Sequence, residues 1–150
     1  MTVAIVVPAL VLARAGGELA WGAPLPLAVV LIVLGCLAIA AGLAFVVWTV
    51  SLFVTAGRGT LAPWDPTQRL VVRGPYRHVR NPMISGVGAI LLGEVVLAGS
   101  AWLAAWFALF AMLNAVYIPL VEEPGLVRRF GDDYRAYRKH VPRWLPRLRA

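Results

Sequence analysis

The sequence predicts an all-α, polytopic membrane protein with about four transmembrane helices (five are possible), a C-terminal helical hairpin and an amphipathic tail. Three observations lead to this prediction. Hydrophobic residues make up 61% of the 150 residues and charged residues only 14%, whereas a soluble domain carries about 25% charged residues. The apolar residues form long uninterrupted runs, as membrane-spanning helices require. The basic residues lie mostly between and after these runs.

The formal charge of +7 is concentrated in two clusters, one between apolar segments and one in the tail. Only Arg14 lies outside them. Basic residues next to membrane spans are retained on the cytoplasmic side, so both clusters and both termini are predicted to be cytoplasmic. Because these charges flank membrane spans, their placement disfavours nucleic-acid binding as the reason for the basic composition.

Two apolar segments occupy the N-terminal third of the chain. Residues 2–13 are short for a span, which needs about 20 residues, and we interpret them as a short or tilted helix extended toward Trp21. The second segment, Leu25–Thr55, is too long for one upright helix in a core of about 30 Å. It forms either one tilted helix or two helices that break near Gly35 or Gly42. No polar turn separates the two halves, so we favour one helix.

A polar connector and an apolar hairpin follow. Residues 58–81 are rich in Pro, Gly and Arg, which argues against a long helix. The hairpin arms are predicted at Pro82–Ala98 and at residues 101–121, with Gly99 and Ser100 as the turn. The first arm begins and the second ends on the cytoplasmic side, so the start of one lies beside the end of the other. The chain is thus predicted to be a single membrane domain, 1–150, with N-terminal helices (1–57) followed by the connector, the hairpin and the C-terminal tail (58–150).

The tail after Pro124 has the pattern of an amphipathic helix. Leu126, Phe130, Tyr134 and Tyr137 recur at helical spacing between arginines. A helix with an apolar stripe and a basic face lies typically in the membrane interface. We therefore predict a short interfacial helix here.

Acidic side chains are few, and three of them stand in unfavourable places. Glu122 and Glu123 are adjacent at a predicted helix C-terminus, where the helix dipole disfavours anions by about 0.3–1 kcal/mol. They are either a solvated helix end or a pair kept for a cationic partner. Glu94 falls inside the first hairpin arm, where an acid costs about 2.5–3.5 kcal/mol. It either lines a functional cavity or joins the two arms by a hydrogen bond to Asn114.

Polar motifs flank the hairpin on both sides. Gly74-Pro75-Tyr76-Arg77-His78-Val79-Arg80-Asn81-Pro82-Met83 precedes it, and Glu122-Glu123-Pro124, Phe130-Gly131-Asp132-Asp133-Tyr134 and Val141-Pro142-Arg143-Trp144-Leu145-Pro146 follow it. In this order they resemble the isoprenylcysteine carboxyl methyltransferase and phospholipid methyltransferase superfamily. The resemblance covers roughly residues 68–146, about half of the chain. It implies an integral membrane enzyme that transfers a methyl group from S-adenosyl-L-methionine to a lipophilic small-molecule or lipid acceptor, with membrane lipids as further partners.

The resemblance also implies a set of site residues. The cofactor contacts would come from Gln68, Arg69, Leu70, Val71, Tyr76, Asn81, Pro82, Met83, Ile84 and Glu122. Arg80 is a candidate for pairing with the cofactor carboxylate through two parallel hydrogen bonds. His78 and Glu123 are candidates for taking a proton from an amine or hydroxyl acceptor, whereas a carboxylate acceptor needs no base. No metal site is predicted.

The chain departs from the family pattern at three places. Family members often have His at the position of Asn81 and Tyr at that of Ile84. Eukaryotic members that methylate prenylcysteine carry an Arg about one turn before the acidic pair, where this chain has Tyr117-Ile118-Pro119. These departures make a prenylcysteine carboxylate a doubtful acceptor, whereas methyl transfer itself stays the prediction.

Rival functions remain open from sequence alone. Sterol-type membrane reductases share a similar C-terminal half and use a nicotinamide cofactor, NADPH. A non-catalytic lipid-binding or assembly protein would bind anionic lipid without saturable cofactor binding. A small transporter is a further alternative, for which Glu94 and Asn114 are the only candidate path residues.

Overall fold

The computed structural model describes residues 2–56 and 69–144 of the chain. Within these ranges the protein is helical and contains no strand, which confirms the all-α prediction. The helices are α1 (Val6–Ala15), α2 (Leu25–Thr55), α3 (Pro82–Ala98), α4 (Ala101–Tyr117) and α5 (Glu123–His140). Short 3₁₀ turns at Thr2–Ala4, Leu19–Gly22 and Gly74–Arg77 precede α1, α2 and α3, and a π-helical turn at Ile118–Glu122 joins α4 to α5.

Two helical stretches of the described chain are long and apolar enough to cross a membrane. One is Leu25–Leu52 within α2, and the other is the continuous run Ala101–His140. The third long apolar helix, α3, has 17 residues, and α1 has 10. Large apolar side chains are exposed along α2 and α4, with Val47 and Trp102 each 67% exposed. Such continuous apolar surfaces are rare on soluble monomers and suit contact with lipid.

The described residues belong to two compact units. The first comprises Met1–Ala44 with Gly86–Asn114, and the second comprises Phe45–Ser85 with Ala115–Ala150. Each is described below by itself. The boundary that the sequence suggested, between residues 57 and 58, lies in the stretch 57–68, outside the described residues.

In the first unit, glycines bring α2 and α3 close together. A Cβ atom on Gly42 would lie 2.6 Å from the Gly86 carbonyl oxygen, and one on Gly93 would lie 2.7 Å from the Gly35 carbonyl oxygen. On each helix the two glycines are seven residues apart, two helical turns on the same face. Small residues allow such backbone contact between membrane helices. Gly35 and Gly42 therefore do not break α2, and the favoured prediction of one continuous helix is confirmed.

The polar side chains of the hairpin are placed in the same unit. The Asn114 side-chain amide donates to the Phe110 carbonyl of its own helix at 2.8 Å. One carboxylate oxygen of Glu94, Oε2, is buried and has no hydrogen-bond partner among the described residues. The Asn114 hydrogen bond that the structure shows therefore lies within α4 and does not join the two arms.

In the second unit, the acidic pair lies at a helix junction. Pro119 has no N–H for the α-helical ladder, and the chain forms a π turn there, in which the Glu123 N–H bonds to the Ile118 carbonyl. Glu123 is consequently the first residue of α5. The expectation that both acids end a helix was wrong, because the helical run continues from α4 through the π turn into α5.

The tail is helical, as its spacing predicted, but its apolar side faces protein. Tyr134 and Tyr137 are buried and pack with Val141, Leu70, Leu126, Val127 and Phe130. Gly131 bends α5 with a φ of 56° and a ψ of −127°, a conformation that glycine adopts without strain. The stripe thus packs against the connector, at Leu70 and at the Tyr76 carbonyl. The helical spacing predicted which residues form the apolar stripe, but it did not predict what they pack against.

We expect Gly42→Ala to lower the thermal unfolding midpoint of the detergent-solubilised protein. The added methyl group meets backbone at Gly86, so the helices must separate, at a cost of about 1–3 kcal/mol. Gly88→Ala is the matched control, because its nearest neighbour outside its own helix would be a Phe110 ring carbon at 4.0 Å. If Gly42→Ala and Gly88→Ala both left the unfolding midpoint unchanged, that result would contradict a close contact between Gly42 and Gly86.

Candidate functional site

A cavity of about 190 Å³ lies within the second unit. Its walls come from the connector with the start of α3, from the acidic pair and from α5. The lining residues are Arg69, Leu70, Val71, Tyr76, Arg80, Asn81, Met83, Ile84, Glu122, Leu126, Phe130, Tyr134 and Tyr137. The two motifs that flank the hairpin in sequence therefore meet around one cavity.

Three of the predicted site residues within the described part of the chain do not line this cavity. Pro82 is fully buried at the start of α3. His78 is half-buried directly after the 3₁₀ turn, and its N–H bonds to the Pro75 carbonyl at 3.0 Å. Glu123 is buried and engaged in ion pairs, described below. Gln68 lies outside the described residues.

The connector is held in place by its turn and by contacts to the tail. Gly74 opens the turn with a φ of 54°, and a Cβ atom there would lie 3.1 Å from Trp48 and from Leu52. The Tyr137 hydroxyl donates to the Tyr76 carbonyl at 2.7 Å in a buried hydrogen bond. At position 74 glycine is therefore favoured both by the backbone conformation and by the lack of space for a side chain.

Glu123 is the central anion of an ion-pair cluster. Arg80 Nη1 donates to its Oε1 at 2.8 Å. Arg143 donates from Nε to Oε1 at 2.7 Å and from Nη2 to Oε2 at 3.0 Å. Burial disfavours the charged form of Glu123, but the Arg143 hydrogen bonds and the charges of Arg80, Arg143 and Arg138 outweigh it and lower its pKa. Glu123 is therefore an ionised structural partner of two arginines.

Glu122 has the opposite environment. It lines the cavity, and burial together with the Glu123 charge raises its pKa above the usual 4.5. A buried carboxyl group with a raised pKa favours binding of a cationic or hydroxyl partner, because such a partner offsets the cost of burying its charge. Of the two adjacent acids, Glu122 is the one available to a ligand in the cavity.

Two of the residues that line the cavity carry a buried hydrogen-bond donor without a partner. Arg80 Nε and Asn81 Nδ2 have no hydrogen-bond partner among the described residues. A buried donor left unsatisfied costs about 1–3 kcal/mol, so such groups are usually explained by a ligand, an ion or water. Burial raises the pKa of Tyr76 and of Tyr137, so both phenols are neutral at physiological pH. The cavity thus offers donors from Arg80 and Asn81, a carboxyl from Glu122, and aromatic walls.

Some site residues were not assigned from the sequence. Leu126, Phe130, Tyr134 and Tyr137 had been placed at a membrane interface, although their spacing was recognised. Arg143 belongs to the motif at residues 141–146, from which no role could be predicted for it. Neither periodicity nor charge could identify Arg143, because its partner Glu123 is 20 residues away in sequence.

The pH dependence of stability should reveal the Glu123 cluster. Because the pKa of Glu123 is lowered on folding, its ionisation stabilises the protein above pH 4.5, and this contribution is lost as the pH falls through the folded-state pKa. Glu123→Gln should cost about 3–5 kcal/mol at pH 7, as removal of one partner of a buried ion pair does. Thermal unfolding between pH 7 and pH 3 should therefore show the variant and the wild type converging at the acidic end.

The control for this experiment is Asp132→Asn. Asp132 pairs with Arg135 at 2.8 Å, but both side chains are exposed, and such pairs contribute about 0–1 kcal/mol. A constant difference between Glu123→Gln and wild type across the whole pH range would contradict an ionised Glu123.

Similarity to known proteins extends over most of the chain. The sequence profile described as phospholipid methyltransferase matches residues 30–133. A protein-S-isoprenylcysteine O-methyltransferase from Schizosaccharomyces pombe is 36% identical over 77 residues, which is 51% of this chain and 33% of that protein. The aligned region thus spans about a third of that relative's length. No solved structure matches the chain significantly. The profile covers most of the chain, and the chain belongs to the phospholipid methyltransferase family.

Proposed function

We propose that this protein is an integral membrane methyltransferase that uses S-adenosylmethionine and acts on a lipophilic acceptor. The observation that carries the proposal is the cavity at the hairpin motifs, where Arg80 Nε and Asn81 Nδ2 are unpaired donors and Glu122 is a carboxyl with a raised pKa. Family membership supports methyl transfer over the reductase, lipid-binding and transporter alternatives. The isoprenylcysteine acceptor belongs to the named relative and supports a lipidic acceptor class.

The residues present fit S-adenosylmethionine. Arg80 and Asn81 are suited to its carboxylate, because charge-assisted and amide N–H groups are the usual donors to carboxylates. Glu122 is suited to its ammonium group or its ribose hydroxyls, and Leu70, Phe130 and Tyr134 offer apolar and aromatic surface. At about 190 Å³ the cavity is smaller than a typical ligand pocket of about 300–1,000 Å³, so the described walls enclose part of the cofactor.

When bound, the cofactor would supply an electrophilic sulfonium methyl group for direct transfer to an acceptor lone pair, with the electron pair of the carbon–sulfur bond staying on sulfur. The protein contributes alignment and exclusion of water, for which the buried side chains around the cavity are suited. Glu123 does not serve as a base here, because both of its oxygens accept hydrogen bonds from arginines. Glu122 or water would receive the proton of an amine or hydroxyl acceptor. His78, the other candidate base, lies on the connector and does not line the cavity.

The membrane arrangement is part of the proposal. We propose four membrane-crossing segments, with both termini and the cofactor site on the cytoplasmic side. The first comprises residues 2–22, which contain the short helix α1 and the 3₁₀ turns on either side of it, and the others are α2, α3 and α4. The basic residues after α2 and after α4 support this orientation. A cytoplasmic site gives access to a water-soluble cofactor, and a lipophilic acceptor would arrive from the bilayer.

Calorimetric titration of the detergent-purified protein tests the cofactor. We expect saturable binding of S-adenosylmethionine and none of NADPH. Glu122→Gln and Asn81→Ala should each weaken binding about tenfold, which corresponds to about 1.4 kcal/mol for one polar contact. Arg135→Ala, on the exposed side of α5, is the control and should leave the affinity unchanged. Binding of NADPH alone, or unchanged affinity in both folded variants, would overturn the proposal.

Cysteine labelling in cells tests the topology. The chain has one cysteine, so Cys36→Ser gives a cysteine-free background. In it, Glu18→Cys between α1 and α2 should react with an impermeant maleimide on intact cells, and Asp133→Cys on α5 only after permeabilisation. Labelling of both positions from the same side would contradict the four-span arrangement.

A further inference from the structure

Arg143 has no role in the function proposed so far, yet it donates two hydrogen bonds to the Glu123 carboxylate. We propose that Arg143 is a positioning residue for cofactor binding. It occupies the Glu123 carboxylate so that Arg80 can turn its Nε toward the cavity. This inference rests on the proposed function, because the ligand of Arg80 is taken to be the carboxylate of S-adenosylmethionine.

The geometry of the Glu123 carboxylate carries the first step. Arg143 bridges both oxygens, with Nε on Oε1 and Nη2 on Oε2. Arg80 reaches only Oε1, through the single nitrogen Nη1. Two-pronged pairing is the stronger arrangement of an arginine and a carboxylate, so Arg143 is the tighter partner of Glu123.

The unused donor of Arg80 carries the second step. Arg80 lines the cavity with a side chain that is 12% exposed, and its Nε is buried without a hydrogen-bond partner among the described residues. Without Arg143, the second oxygen of Glu123 would be open. Arg80 could then satisfy its own Nε by forming a two-pronged pair with Glu123, and it would no longer present that donor to a ligand.

The backbone beside Arg143 also contacts Arg80. The Arg80 N–H donates to the Pro142 carbonyl at 2.9 Å, and Val141 is buried against Tyr134 and Tyr137. The segment after α5 therefore contacts Arg80 at both its backbone and, through Glu123, its guanidinium. This double attachment fits a segment whose function is to orient Arg80.

The test compares two ligands that differ in the part Arg80 would bind. S-adenosylmethionine carries the amino-acid carboxylate, whereas methylthioadenosine lacks it and keeps the nucleoside. We expect Arg143→Ala to weaken binding of S-adenosylmethionine about tenfold, in the range of couplings between contacting residues, and to leave binding of methylthioadenosine unchanged. The readout is the dissociation constant by calorimetry, with Arg135→Ala as the matched exposed arginine.

Two further variants keep the proposal testable if Arg143→Ala does not fold. Arg143→Lys retains the charge but loses the two-pronged geometry, and it should show the same selective loss. In a Glu123→Gln background, Arg143→Lys should have little additional effect on S-adenosylmethionine binding, because both changes break the same contact.

The outcomes separate the two proposals. If the wild-type protein binds neither ligand, the proposed function fails and this inference falls with it. If the wild type binds S-adenosylmethionine and the Arg143 variants bind it equally well, the positioning role alone is wrong. Equal weakening of both ligands would also overturn it, since that result indicates a general structural effect.

Discussion

The buried carboxylate of Glu123 is the constraint on which the candidate site depends. A carboxylate that is 6% exposed is strongly destabilising unless its charge is paired and its oxygens accept hydrogen bonds. Arg80 comes from the connector and Arg143 from the segment after α5, so the cluster joins parts of the chain that are far apart in sequence. The walls of the cavity can therefore form only when these segments are in place together.

The same cluster explains how two adjacent acids acquire different properties. Neighbouring residues on a helix point about 100° apart, so one can face arginines while the other faces the cavity. Two cations hold Glu123 ionised, and the resulting fixed negative charge, added to burial, raises the pKa of Glu122. The pair is thus a structural anion beside a carboxyl that is available to a ligand, a division typical of functional sites.

Much of the helical fold could be predicted from the sequence because local signals determine it. Apolar runs and flanking prolines place α2 and α3, and the return of the hairpin brings Asn81 and Glu122 to one cavity. The role of the α2 glycines could not be predicted, since a glycine signals a break or a close contact equally well until its partner is known. The inward face of α5 and the role of Arg143 likewise depend on contacts between distant residues, which no periodicity contains.

The π turn connects this limit of sequence reasoning to the chemistry. An α-helix that continued through Pro119 would lack one hydrogen bond and would carry the proline ring against the preceding turn. Beside Pro119 the chain forms a π turn, which adds a residue to the turn and so changes the direction in which the following side chains point, compared with a regular α-helix. This change affects Glu123 and the stripe from Leu126 to Tyr137. The π turn thereby influences which carboxyl pairs with the arginines and which one lines the cavity.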